Sequence, residues 1–430
     1  MLLVPHPHVS ESKRPISKVA RSVGCRICLI VCLVFVWSAL AYAQDPEEEA
    51  QPRLVRGAFT LKSSVGIQAL EDSNIYQSST DVQSSQLWKL APSLLMRFEP
   101  ARSRVEFSYK GDYGWYDKFS HDDYADHALK AGAYLLLGER SGLDLVTSYL
   151  DEHQNRGTGL SQGIDPASSA FPTEPDRYTT EQFLARYTYG VSHTRTFVSL
   201  EASTEKLAYQ NNLAYTQQFD HDESYGKATF GFRVRPKTSI ELSMQARDLR
   251  YNASNAFATG LVDSREYRYL LGVVWETTST MTGTVRVGWL KDKFGNSALP
   301  GFSGTSWQVA ILWSPLTYTH LELSTHRDTD PPINPLGYVT VTAVYSLGWR
   351  YEWNSRLESK LALSEVDSTY RFVTTGVQTS KTPTYSLALI YKMRRWLRWE
   401  AGLDINARNS PIANYNFHES IARLGARITF

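Results

Sequence analysis

The sequence predicts an all-β fold: a membrane-spanning, antiparallel up-and-down β-barrel of about 18 strands. Three observations predict it. Apolar and polar residues alternate with period two along most of the chain after residue 57, the pattern of strands with one apolar face. Short polar turns alternate with longer polar loops. The tryptophans lie near strand ends and avoid strand middles.

The chain begins with a segment of a different kind. Lys13, Arg14, Lys18, Arg21 and Arg26 precede the apolar run Ile27 to Leu40, and "AYA" follows it. A basic region, an apolar core and a small-x-small site describe a cleaved export signal, expected over 1–43. The run has 14 residues, short of the ~20 that a spanning helix needs. Cys25, Cys28 and Cys32 all fall within 1–43, so the exported chain is expected to form no disulfide. "QDPEEEAQPR" then reads as an acidic periplasmic linker, with boundaries at 44–56, and the barrel is expected over 57–430. The dozen or so residues between the signal and the barrel leave no room for a plug domain.

The strands follow in order. Val285, Val287 and Trp289 oppose Thr284, Arg286 and Gly288. Trp307, Val309, Ile311 and Trp313 oppose Ser306, Gln308 and Ala310. Val341, Ala343, Tyr345, Leu347 and Trp349 oppose Thr342, Ser346, Gly348 and Arg350. Such runs reach about 10 to 14 residues, against ~5–6 for ordinary strands. Tight polar junctions are expected at 99–104, 138–142, 190–195, 235–239, 277–282, 314–319, 353–356 and 393–396, starting roughly 40 residues apart. Eight such turns join sixteen strands, and one more run at each end makes eighteen. A 40-residue repeat also suits a β-propeller, but a blade divides it into four short strands rather than two long ones. Short turns alternating with long loops belong to barrels of Gram-negative outer membranes. Trp275, Trp313, Trp349, Trp353, Trp396 and Trp399 near the turns, with Trp88, Trp115, Trp289 and Trp307 near the loops, predict two aromatic girdles.

The last strand alternates up to Phe430. In hydrocarbon every backbone group needs a partner, so this strand is expected to close against the first. Phe430 is expected to serve as the signal read by the barrel-assembly machinery.

With apolar positions facing lipid, the opposite register lines the bore. Its candidate substrate-path residues are Lys89, Arg97, Lys110, Arg186, Arg233, Arg235, Arg247, Arg286, Arg350, Arg398, Glu400, Asp404, Arg423 and Arg427. Mixed charge with a basic excess suits an aqueous path. The alternative is that these charges pair across strands and merely solvate the wall.

Other classes are disfavoured. A formal charge of +1 gives no basic field for nucleic acid. A mean hydropathy of −0.34 excludes a bundle of membrane helices. No metal-ligand spacing, nucleophile motif or cofactor fingerprint is present, so no enzyme activity, metal or cofactor is expected. "DHDES" at 220–224 and "DTD" at 328–330 read as solvated acidic loops.

One stretch carries a resemblance. Asp72, Asn74 and Ile75 follow the first strand. Pro92 then precedes Tyr109, Tyr113 and Tyr116, and Asp122, Asp123, Tyr124 and His127 come next. This stretch of about 60 residues resembles the β-barrel porin family of exopolysaccharide operons. The resemblance implies an outer-membrane channel that exports an exopolysaccharide, working with a separate periplasmic polysaccharide-export protein. It also implies outer-membrane lipid as a partner. Tyr113, Tyr116 and Tyr124, expected near the mouth, suit either stacking on sugar rings or anchoring in the aromatic girdle. The alternative function is a general or oligosaccharide-selective diffusion porin.

Overall fold

A computed structural model describes residues 54–430, apart from 101, 192–193, 253–261, 277–279, 331–336, 373–375 and 413. The expected export signal and residues 44–53 of the expected linker lie outside the described residues.

The wall consists of long strands: β2 (Phe59–Asp72), β3 (Ser85–Phe98), β4 (Arg104–Tyr116), β5 (Tyr124–Leu137), β6 (Ser141–Gln154), β7 (Asp176–Tyr189), β8 (Thr196–Tyr209), β9 (His221–Arg235) and β10 (Thr238–Tyr251). It continues through β11 (Ser264–Trp275), β12 (Met281–Phe294), β13 (Phe302–Leu316), β14 (Thr319–Asp330), β15 (Val339–Glu352), β16 (Leu357–Phe372), β17 (Gly376–Arg394), β18 (Leu397–Arg408) and β19 (Phe417–Thr429). A three-residue strand, β1 (Leu54–Arg56), precedes them. Every wall strand pairs antiparallel with its sequence neighbours, and β19 pairs with β2 from Ile421↔Asp72 to Thr429↔Ser64. The eighteen-strand barrel is therefore closed, and the eight expected turns fall between the strands they were read to join.

The seam has a detail that alternation does not reveal. β2 runs beyond the reach of β19, where the Phe430 N–H donates to the Ser63 carbonyl at 2.9 Å. Next along that edge, Leu54↔Leu61 to Arg56↔Phe59 pair β1 with β2. Gly57, at φ +62°, makes the turn between them, a conformation that costs glycine little. Leu54–Arg56, read from sequence as linker, thus covers backbone that would otherwise be an open edge.

The two registers separate as expected. Leu271, Val287, Leu387, Leu403 and Leu424 are exposed on the outer face, which suits contact with lipid. Trp313, Trp349, Trp353 and Trp399 lie toward the turns, and Trp88, Trp115 and Trp289 toward the loops, all exposed. The indole N–H groups of Trp289 and Trp349 donate to Ser303 Oγ at 2.6 Å and Thr319 Oγ1 at 2.9 Å.

One place departs from a simple cylinder. Among the described residues, the β13–β14 ladder runs from Leu316↔Thr319 only as far as Trp307↔Arg327. β14, β15 and β16 stay paired with one another beyond that point, to Asp330↔Thr340 and Val339↔Arg371. The loop-side end of this three-stranded leaf has left the wall.

Candidate functional site

The candidate site is the bore and its loop-side mouth. Every substrate-path residue expected from sequence falls on the register opposite the exposed apolar face. Strand pairing brings six of their twelve cations, Arg247 among them, to carboxylates. Lys89 Nζ is 2.9 Å from Asp112, and Arg97 Nε is 2.6 Å from Glu106. Arg186 Nε lies 2.5 Å from Glu201, and Arg286 Nη2 lies 2.7 Å from Glu241. Arg423 joins Asp404 directly and reaches Glu400 at 3.4 Å. About half of the basic charge read from sequence is thus neutralised across strands. Arg233 is a turn clamp: Nη1 donates to the Gly190 and Thr194 carbonyls at 3.0 and 2.7 Å, and its guanidinium stacks on Phe197. Arg235 closes β9 at the turn. Lys110, Arg350, Arg398 and Arg427 occupy inner positions of β4, β15, β18 and β19.

The mouth is built from loops. Residues 155–175, between β6 and β7, lie against three other loops. Arg156 organises the contact. Its Nε and Nη2 donate to the two oxygens of Asp122 at 2.6 and 2.5 Å. Nη2 also donates to Tyr76 Oη at 2.6 Å, and Nη1 to the Pro172 carbonyl at 3.0 Å. The guanidinium sits 4.8 Å from the Tyr76 ring and 5.4 Å from Phe171, so cation–π contacts add to the ion pair. Burial, and then the Asp122 carboxylate, push the Tyr76 hydroxyl above its ordinary value. Burial alone would lower Arg156, but Asp122 and Tyr76 outweigh it and hold the guanidinium charged. Gly157 and Gly163 permit the fit. A Cβ on Gly157 would lie 1.7 Å from the Tyr76 carbonyl oxygen, and one on Gly163 would lie 2.4 Å from the Tyr415 ring.

These contacts revise the sequence reading of the motif residues. Tyr116 and Tyr124 are buried with Ile75, Tyr76, Leu87 and Phe171; they hold loops together and present no open face to a sugar. Tyr113 Oη pairs with Tyr109 Oη at 3.1 Å, and Tyr109 Oη also contacts His127 Nδ1 at 3.1 Å. Asn74 ties the barrel seam: its Nδ2 donates to the carbonyls of Ser78 and of His418, each at 2.9 Å. Asp123 accepts from the Tyr116 N–H at 2.9 Å. The loop and seam residues of this stretch are scaffolding, whereas Tyr109, Tyr113 and His127 meet on the outer register of β4 and β5, beside Pro92.

The opposite side of the mouth holds residues whose role sequence did not reveal. Here β14 passes inside β11–β13. Arg268 of β11 contacts Asp328 of β14, and its Nη2 also donates to Glu266 at 2.8 Å. Arg247 of β10 donates through Nη2 to the Thr329 carbonyl at 2.9 Å and to Glu266 at 3.0 Å. The Thr329 hydroxyl completes the network on Glu266. Three strands separate β10 from β14 along the wall, a path of about 19 Å at ~4.8 Å per strand and beyond an arginine's reach. Asp328 and Thr329 must therefore stand over the inner face. An apolar contact agrees: Val339 and Val341 of β15 are buried with Leu290 of β12 and Phe302 of β13. The Arg371 guanidinium of β16 lies 5.1 Å from the Phe302 ring. The two acidic segments read as loops are corrected: 221–224 belongs to β9, and Asp328–Asp330 ends β14. The sequence cue was present as Leu290 and Phe302, apolar residues in the inner register.

A closed barrel, apolar outside and charged inside, with short turns at one end and docked loops at the other, is an outer-membrane channel. The chain belongs to the family described as "Putative beta-barrel porin 2", whose model matches residues 54–430. No curated protein matches it. Similar solved structures include Pseudomonas aeruginosa OpdK with vanillate, at 11% identity and TM-score 0.46, covering 86% of this chain and 99% of that one. Pseudomonas aeruginosa OccK2 in complex with glucuronate is 9% identical at TM-score 0.46, covering 86% and 98%. Acinetobacter baumannii OccAB3 is 9% identical at TM-score 0.46, covering 87% and 100%.

Proposed function

We propose that the protein is a passive diffusion channel for hydrophilic solutes of oligosaccharide size or smaller, with weak charge selectivity and no covalent chemistry. The observation that carries this reading is the pairing of inner-face cations with carboxylates on neighbouring strands. A wall neutralised in this way stays polar and wet without presenting a strong trap for either sign. The docking of loop 155–175 on three neighbouring loops and the overlap of the β14–β16 leaf on β11–β13 support a restricted mouth, which suits small solutes better than a polymer. Phe430, exposed on the outer face beside the seam, suits its proposed role as the signal for the assembly machinery.

Export of an exopolysaccharide with a periplasmic export protein is the second reading. It rests on the stretch from Asp72 to His127, whose loop and seam side chains are engaged in scaffolding contacts. One experiment separates the two. Purified barrel in liposomes is challenged with mono-, di- and oligosaccharides, and swelling is followed. Diffusion predicts rates that fall smoothly with solute size. Absence of sugar permeation, together with loss of surface polysaccharide on deleting the gene, would replace the diffusion reading with export.

A further inference from the structure

We propose that the loop-side end of the β14–β16 leaf is an adjustable aperture with two seats: an overlapped seat inside β11–β13, and a zipped seat in the wall beside β13. The inference rests on the channel reading and adds a moving part to it.

The overlapped seat is the one described above. Asp328 and Thr329 engage Arg268, Arg247 and Glu266, while Val339 and Val341 cover Leu290 and Phe302. The second seat follows from register. The β13–β14 ladder stops at Trp307↔Arg327, yet both strands continue past it: β13 back to Phe302 and β14 on to Asp330. Continuing the same antiparallel count would set Ser306 opposite Asp328, Thr305 opposite Thr329 and Gly304 opposite Asp330. Side chains already bridge the junction. Arg327 Nη1 donates to the Thr305 carbonyl at 2.5 Å, and Ser306 Oγ donates to the Arg327 carbonyl at 2.9 Å. The leaf thus has two alternative partners, which is the requirement for a discrete two-state element.

The position permits movement. Outward residues of β13 change from Ile311, Val309 and Trp307 to Thr305 and Ser303 along the strand, and the Trp289 indole bonds Ser303. Trp307 and Trp289 mark the outer aromatic girdle, so the break in the ladder begins at or above it. There water satisfies backbone groups that hydrocarbon would leave bare. Zipping the seam returns Asp328 to a wall position and takes the leaf off three strands of inner surface, which widens the mouth.

The exported barrel is free of cysteine, because all three lie before residue 33. Two engineered pairs therefore report the two seats. Leu290→Cys with Val341→Cys can oxidise only in the overlapped seat, and Thr305→Cys with Thr329→Cys only in the zipped one. Each reduced variant is first checked for the heat-modifiable gel mobility of a folded barrel. Disulfide yield is then read by loss of thiol labelling, and single-channel current is recorded in planar bilayers before and after reductant. The proposal predicts that both pairs cross-link. The oxidised overlap pair should hold a small conductance, and the oxidised seam pair a larger one, about twofold or more. Failure of the seam pair to cross-link, while the overlap pair does so fully, overturns the proposal whatever the current. Cross-linking of both pairs without any current would establish the two seats and refute the channel reading instead.

Discussion

Replacing Arg156 with alanine should release loop 155–175 from the mouth while leaving the barrel wall intact. The Arg156 side chain is 12% exposed and Asp122 only 6%, so the substitution strands a buried carboxylate. Breaking such a pair by removing one partner costs about 3–5 kcal/mol. The loss falls on loop docking, because the wall is held by backbone ladders that Arg156 does not join. Loop amides such as Ser161, whose N–H donates to the Thr158 carbonyl at 3.1 Å, should lose about two to three and a half orders of magnitude of protection. Hydrogen exchange followed by mass spectrometry reads this directly, with β10 and β11 peptides as the unchanged reference. Arg156→Lys should recover only part of the protection, since an ammonium cannot form the two-oxygen fork. Arg156→Ala combined with Asp122→Ala should be milder than Arg156→Ala alone, because no unpaired charge remains. If the single substitution leaves loop exchange unchanged, or the double is worse by the full sum, the ion pair is not what docks the loop.

Other outcomes follow from the same geometry. Tyr76 is raised above its ordinary value of 10.0. Its share of loop docking is therefore complete below about pH 10 and lost as pH climbs through the higher folded value; exchange of the loop at stepped alkaline pH checks this. Leu271→Arg, at an outer position 57% exposed in the isolated barrel, should destabilise the membrane-inserted fold by about 2–4 kcal/mol. Gln308→Arg on the inner face should cost far less and shift reversal potential toward anions. Asn74→Ala leaves the Ser78 and His418 carbonyls without this donor and should cost about 1–3 kcal/mol, seen as earlier unfolding of the β2–β19 seam by exchange.

The wall was legible because its signals are local. Period two marks every strand, and Gly190, Pro236 or Asn354 mark turns a few residues away. The outer girdles were legible for the same reason. The mouth was not, because its contacts join residues distant in sequence: Arg156 to Asp122, Asn74 to His418, Arg268 to Asp328. The overlap at β13–β14 was hidden for a further reason. Val339 and Val341 alternate like lipid-facing residues, and a period-two pattern cannot say whether the apolar side meets lipid or another strand's inner face. The charges in the bore were found by register, but whether each cation stands open or pairs depends on neighbours across the ladder. Arg186 and Glu201 illustrate this: 15 residues apart in sequence, they meet only once β7 and β8 are aligned.

The central claim is that alternate residues of one strand meet lipid and water on opposite sides of a closed wall. Single cysteines at Ser346, Leu347 and Gly348 of β15 test it in reconstituted vesicles. A membrane-impermeant thiol reagent should label positions 346 and 348 and spare 347, while a lipid-borne quencher should silence a fluorophore at 347 alone. Equal labelling of all three positions, with no quenching at 347, would contradict the barrel as described.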